Sequence, residues 1–178
     1  MDISYDLVEV NKQIKFPVMV HEGRCCYVGP LGETLEQAIA FLENHKVKAN
    51  YRHNPHEVNL FASQLAKYFT TGQAIDYSQF PVDFLYGTPW QHSIWHYLQS
   101  IPLGETRSYS QVAQATGRPR ATRAVGTAIG LNPISFVVPC HRVINKNGRL
   151  GGYRGGLNLK QSLLIHEQNS TVGLISFT

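Results

Sequence analysis

Cys140 is followed directly by His141 and Arg142, at the end of an apolar run from Ile134 through Val138 and Pro139. A free thiol ionises near pH 8.5, so only a few per cent is thiolate at neutral pH, and nucleophilic chemistry needs a base or a positive charge beside it. His141 is a candidate base, and Glu167, next to His166, is a carboxylate able to orient the imidazole. Such poising predicts a Cys140 pKa below the free value. The alternative is an inert core thiol closing a buried strand, the ordinary fate of a lone cysteine. Against that reading, His141 and Arg142 are costly to bury without a purpose.

The elements that must position this centre begin near Thr88. Thr88, Pro89 and Gln91 form a capping box with proline at the first helical position, and Trp90, Ile94, Tyr97, Leu98 and Ile101 then share one face until Pro102 and Gly104. Ser108 and Gln111 form a second box, opening a short helix that stops at Gly117. Pro119 restarts helix, and Ala121, Ala124, Val125, Ala128 and Ile129 have the spacing of a single buried stripe. Two short helices joined by a glycine-containing turn fit either a helix-turn-helix or an ordinary helical hairpin. Arg120, Arg123 and Thr127 fall on the outer face of the second helix, and its small residues suit close approach to a groove or to a packed neighbour.

Upstream lies a small mixed domain. Val18–Val20 and Cys25–Val28 read as strands around a turn at Glu22-Gly23. Thr34 and Gln37 cap a helix with Leu35, Ala38, Ile39 and Leu42 on one stripe, and a second helix carries Val58, Phe61, Leu65, Tyr68 and Phe69. The stretch from Thr71-Gly72 to Gly87 reads as a linker. The expected architecture is therefore α+β: a sheet-containing domain over 1–80, a mainly helical domain over 81–168 carrying the helix-turn-helix, and a tail over 169–178.

With 178 residues and 43% hydrophobic content, the chain can bury one good core or two small ones. No apolar run approaches the ~20 residues of a membrane helix, and Met1-Asp2-Ile3-Ser4 does not open a secretory signal. Three cysteines, two of them adjacent, are no disulfide framework and fit a reducing cytoplasmic setting. The charge of +4 and pI near 9.0 are compatible with a polyanionic partner but equally with a solvated basic face.

From Thr88 to Glu167 the chain resembles the methylated-DNA–protein-cysteine methyltransferases, the O6-alkylguanine-DNA alkyltransferases. The family's hallmark stands here as Pro139-Cys140-His141-Arg142-Val143. Around it fall Gly104-Glu105-Thr106-Arg107-Ser108-Tyr109, Ala124-Val125-Gly126, Asn132-Pro133, Gly151-Gly152-Tyr153, Gly155-Gly156-Leu157, Lys160 and His166-Glu167. The resemblance implies that Cys140 accepts the alkyl group, with His141 as base through a water, Glu167 orienting it and Asn132 supporting the cysteine turn. It implies that Tyr109 donates toward guanine N3 and Arg123 fills the base stack when the damaged nucleotide leaves. Ser110, Arg118, Ala121 and Thr122 would meet the DNA. The carbonyls of Cys140 and Val143 would accept from guanine, and Val143, Ser135, Gly151, Tyr153 and Arg154 would line the substrate pocket.

The implied activity is one irreversible transfer per molecule from O6-alkylguanine, and from O4-alkylthymine, in double-stranded DNA, by a monomer without cofactor, metal or membrane. Ser135 and Arg154 fall where relatives differ and leave the range of alkyl groups open. The N-terminal part agrees only in outline: Cys25-Cys26 and His53-x-x-His56 lack the spacing of the zinc site that some relatives have there. A lesion-binding module of the same fold would lack the acceptor cysteine. A cysteine hydrolase would turn over, and a helix-turn-helix regulator would leave Cys140 and its neighbours unexplained.

Overall fold

The computed structural model describes residues 1–169 other than Asn11 and Gln13; the expected tail beyond Asn169 lies outside the described residues. The chain divides between Tyr86 and Gly87 into two compact units.

The first unit is a four-stranded sheet of β1 (Asp2–Val10), β2 (Ile14–His21), β3 (Arg24–Val28) and β4 (Asn50–His53), with helices α1 (Leu35–Asn44) and α2 (Pro55–Thr71). Strand order is β3-β2-β1-β4; β1 pairs antiparallel with β2 and parallel with β4. Both expected strands are present. The helices account for the burial of Phe16 through Val20 without alternation. Met19, opposite Tyr5 and Tyr27, shares a cluster with Ile3, Ala38 and Leu42 of α1. On the other face Phe16, opposite Val8, meets Phe69 of α2 at 5.8 Å between ring centres. Both helices start at side-chain caps, Thr34 with Gln37 and Asn54 on Glu57, and α2 buries the five apolar residues its spacing predicts.

The expected linker is instead part of this unit. Cys25 donates to Pro81 O and accepts from Asp83 N–H, both at 2.9 Å, which lays Val82 alongside β3. Phe80 is buried, its ring 4.7 Å from that of Phe61. Glycine, proline and serine marked an irregular segment correctly, but irregular backbone can still pack when an open strand edge supplies its hydrogen bonds.

The second unit holds α3 (Pro89–Gln99), β5 (Arg107–Ser108), α4 (Tyr109–Ala115), α5 (Thr122–Gly130), a 3₁₀ turn at Cys140–Arg142, β6 (Val143–Ile144) and α6 (Leu157–Gln168). The capping boxes at Thr88 and Ser108 are both formed. Trp95, fully buried, donates from Nε1 to Ala128 O at 2.8 Å and Trp90 donates to Thr116 O at 3.1 Å, so α3 is bonded to both the α4 end and α5. Helix α4 ends in a turn with Gly117 at φ +76°, and α5 begins at Thr122 rather than at Pro119. The buried stripe is narrower than the sequence spacing suggests: Val125, Ala128 and Ile129 are buried, Ala121 is half-buried and precedes the helix, and Ala124 is exposed beside Thr122 and Arg123. No helix among the described residues is long and apolar enough to cross a membrane.

Candidate active site

The cysteine segment is not a strand. From Asn132 to Val143 every residue is buried, and the backbone turns back on itself: Val138 N–H reaches Ile134 O at 2.9 Å and Cys140 N–H reaches Val138 O at 2.7 Å. Phe136 sits at φ +68°, a left-handed conformation rare for a bulky residue. Its ring is completely buried, so packing holds the backbone where propensity would not. Asn132 closes the turn with its side chain. Its Oδ1 accepts from Ile134 N–H at 2.9 Å, and its Nδ2 donates to Val138 O at 2.8 Å and to Cys140 Sγ at 3.3 Å.

Cys140 lines a cavity of about 660 Å³ within the second unit. Tyr109 at the start of α4, Thr122 and Arg123 at the start of α5, Asn132, Ser135, and the loop Gly151, Gly152, Tyr153 and Arg154 form its other walls. The loop approaches Tyr109 so closely that a Cβ on Gly151, which has φ +71°, would lie 2.7 Å from the phenol oxygen. Burial pushes the Cys140 thiol up, and the Asn132 hydrogen bond and the charges of Arg154 and Lys160 only partly offset it. The sequence-based expectation of a lowered pKa is thus reversed: removing the thiolate from water outweighs the neighbouring donors and cations.

Behind the cysteine lies a buried ionic group. His141 and Glu167 meet at 2.7 Å, Nε2 to Oε1, with neither side chain exposed. Arg142 clasps the same carboxylate twice, Nε to Oε2 at 2.8 Å and Nη2 to Oε1 at 2.9 Å, and donates from Nη1 to Ile101 O at 2.6 Å. Burial by itself would raise the Glu167 carboxyl, but His141 and Arg142 hold it well below the carboxylate range. Burial lowers the His141 pKa, against the pull of Glu167, so the ring is neutral at pH 7. A neutral ring beside a carboxylate places its proton on Nε2, leaving the Nδ1 lone pair, which is buried and accepts no hydrogen bond among the described residues.

Not every expected residue is in the cavity. Val143 is a correction: it is buried in the β5–β6 pair opposite Arg107, does not line the cavity, and its carbonyl accepts from Lys160 Nζ at 2.6 Å. Ser110 faces a second, polar groove with Gln114 and Lys146. Arg118 is exposed and its guanidinium lies 4.4 Å over the Trp90 ring.

Lys160 is the residue whose role sequence reasoning missed. It is fully buried on α6, donates also to Leu150 O and Gly152 O, and so ties the glycine-rich loop to the cysteine segment. Burial brings its pKa down to about 8. The available signal was spacing: Lys160 and Glu167 stand two turns apart on one helix and share its inner face.

In the first unit, Cys25 and Cys26 are buried free thiols and His53 Nε2 meets Asp6 at 3.1 Å. Among the described residues no three His, Cys, Asp or Glu side chains converge to hold a metal ion.

A thiol with a neutral imidazole behind it, set at the foot of a helix pair, puts the molecule among cysteine-nucleophile transferases that carry their own DNA-binding element. A family model for the DNA-binding domain of 6-O-methylguanine DNA methyltransferase matches residues 89–169. The methylated-DNA–protein-cysteine methyltransferase of Mycolicibacterium paratuberculosis is 45% identical over 122 residues, 68% of this chain and 72% of that one. That of Salmonella typhimurium is 44% identical over 128 residues, 66% and 71% of the two chains. The crystal structure of Mycobacterium tuberculosis O6-methylguanine methyltransferase superposes with a TM-score of 0.76 at 34% identity over 94% of both chains. The Mycobacterium tuberculosis OGT solved in complex with DNA gives 0.75 at 31% identity, over 96% of this chain and 94% of that one. The chain belongs to the methylated-DNA–protein-cysteine methyltransferase family, and its α+β fold is that of these structures.

Proposed function

We propose that this protein repairs O6-alkylguanine, and O4-alkylthymine, in double-stranded DNA by a single irreversible transfer of the alkyl group to Cys140. The observation that carries the reading is the pairing of a cavity-lining thiol with a neutral, Glu167-oriented His141 whose Nδ1 lone pair is uncommitted. The lesion's alkyl carbon lies inside the duplex, so the nucleotide must swing into the cavity, at a cost of a few kcal/mol. Arg123, exposed at the cavity rim on α5, fills the gap it leaves. Thr122, Ala121 and Ser110 border the DNA, and Arg118 touches phosphate.

In the reaction the Cys140 proton passes through a water to His141 Nδ1 as Sγ attacks the alkyl carbon. The carbon–sulfur bond forms while the carbon–O6 bond breaks, its electron pair going to guanine. Tyr109, whose phenol burial keeps protonated, donates toward guanine N3 and neutralises the charge developing there. The Cys140 carbonyl, Ser135, Gly151 and Tyr153 position the base. A raised resting pKa keeps the thiol unreactive until a substrate arrives. Among the described residues no second thiol lines the cavity, and a thioether has no good leaving group, so the protein acts once. It does so as a monomer in the cytoplasm, in keeping with its three free cysteines.

The test is incubation with a duplex whose O6-methylguanine is labelled in the methyl group, followed by peptide mapping. One equivalent of label on Cys140 per protein is expected. Label on Cys25 or Cys26, or several turnovers per molecule, would sink the reading.

A further inference from the structure

The turn between α4 and α5 holds Arg118 on a fixed backbone. Gly117, at φ +76°, donates to Gln114 O at 3.2 Å and Arg118 N–H donates to Ala113 O at 2.9 Å, the paired bonds of a Schellman cap. Arg118 O then accepts from Ala121 N–H at 2.9 Å, just before α5. The side chain is held as well. Its guanidinium lies 4.4 Å over the ring of Trp90, and that indole is itself anchored, donating from Nε1 to Thr116 O in the same turn. Trp90 is placed in its turn by the capping box of Thr88 and Gln91, being the second residue of α3. It is only half-buried, whereas Trp95 on the same helix is fully buried and does the packing. The surroundings favour an anion: Arg118, Arg120 and Arg123 are exposed, and between Glu105 and Glu167 the chain has no Asp or Glu. Arg118 makes no ion pair among the described residues. An indole over one face of a guanidinium leaves the N–H donors at its rim for an acceptor outside the protein.

Resting on the reading that double-stranded DNA is the substrate, we propose that Trp90 is a positioning residue for DNA binding. It holds the Arg118 guanidinium in place for one backbone phosphate, which makes the α4–α5 turn a preformed phosphodiester site. A free arginine side chain loses rotamer freedom when it grips a phosphate, and stacking it beforehand removes part of that cost. The indole contact exists before and after binding, so it acts on affinity by ordering the guanidinium and not as a new attraction. A guanidinium held in one orientation can also meet two phosphate oxygens at once, which a compact ammonium cannot. Backbone phosphate carries no sequence information, so the site sets register on the duplex and is indifferent to the lesion.

The experiment is a double-mutant cycle on affinity for an undamaged duplex, read by fluorescence anisotropy of labelled DNA with wild type, Trp90→Leu, Arg118→Ala and the double variant. Trp90→Leu is expected to raise Kd by roughly 3- to 10-fold, the size of ordering one rotamer-rich side chain. In the Arg118→Ala background the same change should raise Kd by less than about twofold, within the scatter of independent sites. Trp90→Phe, which keeps an aromatic face, should retain most of the affinity. Equal losses from Trp90→Leu with and without Arg118 overturn the proposal and make Trp90 purely structural, and an unchanged Kd in Trp90→Leu or in Arg118→Ala overturns it too. Should Trp90→Leu not fold, Arg118→Lys decides, since it keeps the charge but not the flat guanidinium. A Kd raised about threefold or more by Arg118→Lys upholds the proposal, and binding as tight as wild type overturns it. A wild-type protein that binds no duplex removes the DNA reading itself, and the proposal with it.

Discussion

His141 and Glu167, 26 positions apart in the chain, meet side chain to side chain at 2.7 Å with no solvent between them. Because Arg142 clasps the same carboxylate, one acidic group both sets the imidazole's tautomer and neutralises a buried guanidinium. The two duties are separable by mutation. His141→Ala should slow single-turnover transfer by about 10²-fold or more, as expected for a lost base, with DNA affinity little changed. Glu167→Ala should slow transfer similarly but also destabilise the protein by about 3–5 kcal/mol, since Arg142 is left as a buried charge without its carboxylate. Equal stability of the two variants in urea would contradict this division.

The same pair sets the pH dependence. His141 has a lowered pKa in the folded protein, so it remains a competent base below the ordinary imidazole value of about 6.5. The acid limb of the transfer rate should therefore lie below pH 6.5. For stability the sign is the same for both groups, because the unfolded chain binds more protons than the folded one. Stability should decline as pH falls below about 6.5, where an unfolded histidine charges, and again below about 4.3, where an unfolded glutamate takes up its proton while Glu167 resists. Thermal unfolding of wild type and His141→Leu from pH 8 to 4 checks this. The variant should lose the upper decline and keep the lower.

Asn132 replaces the partners that a strand ladder would have supplied to the cysteine turn. Removing its side chain orphans the buried Ile134 N–H and frees Cys140 Sγ of its donor. Asn132→Ala should cost about 1–3 kcal/mol of stability and raise the Cys140 pKa further, read as slower alkylation by iodoacetamide at fixed pH. Unchanged thiol reactivity would show that the hydrogen bond to sulfur does not matter.

Gly151 combines a positive φ with the 2.7 Å approach to the Tyr109 hydroxyl. A methyl group there must displace either the loop or the phenol. Gly151→Ala should destabilise by about 1 kcal/mol or more for the backbone conformation alone, and slow transfer from duplex and from free O6-alkylguanine alike, because the wall itself moves. A normal rate with either substrate would mean that Tyr109 has room to retreat.

Arg123 and Arg118 separate extrusion from simple affinity. Arg118→Ala, removing a phosphate contact, should weaken binding to intact and damaged duplex equally and reduce the salt slope by about one. Arg123→Ala should slow repair in duplex far more than transfer from free base, which needs no extrusion, and less so when the lesion is already mismatched. Equal slowing of both substrates by Arg123→Ala would make it structural.

What the sequence determined by itself are the features that depend on near neighbours. Capping boxes at Thr34, Thr88 and Ser108 form from residues three apart, and the apolar stripe of α2 follows from helical spacing alone. Cys140 with its flanking motif was legible for the same reason, being contiguous. Strand β1 escaped notice because its buried side changes along its length: Ile3 faces α1, whereas Val8 faces α2, and no single alternation describes both. Only the tertiary structure decided that Ile134–Val138 turns instead of extending, because the deciding partner is the side chain of Asn132 and the burial of Phe136. It also decided the direction of the thiol's pKa. Composition displays the charges that favour a thiolate, but the desolvation that opposes them exists only once the core has closed over Cys140. Lys160 reads as one more surface cation until the loop carbonyls of Leu150 and Gly152 close around it, and that enclosure is set by contacts between segments far apart in the chain, which no local pattern encodes.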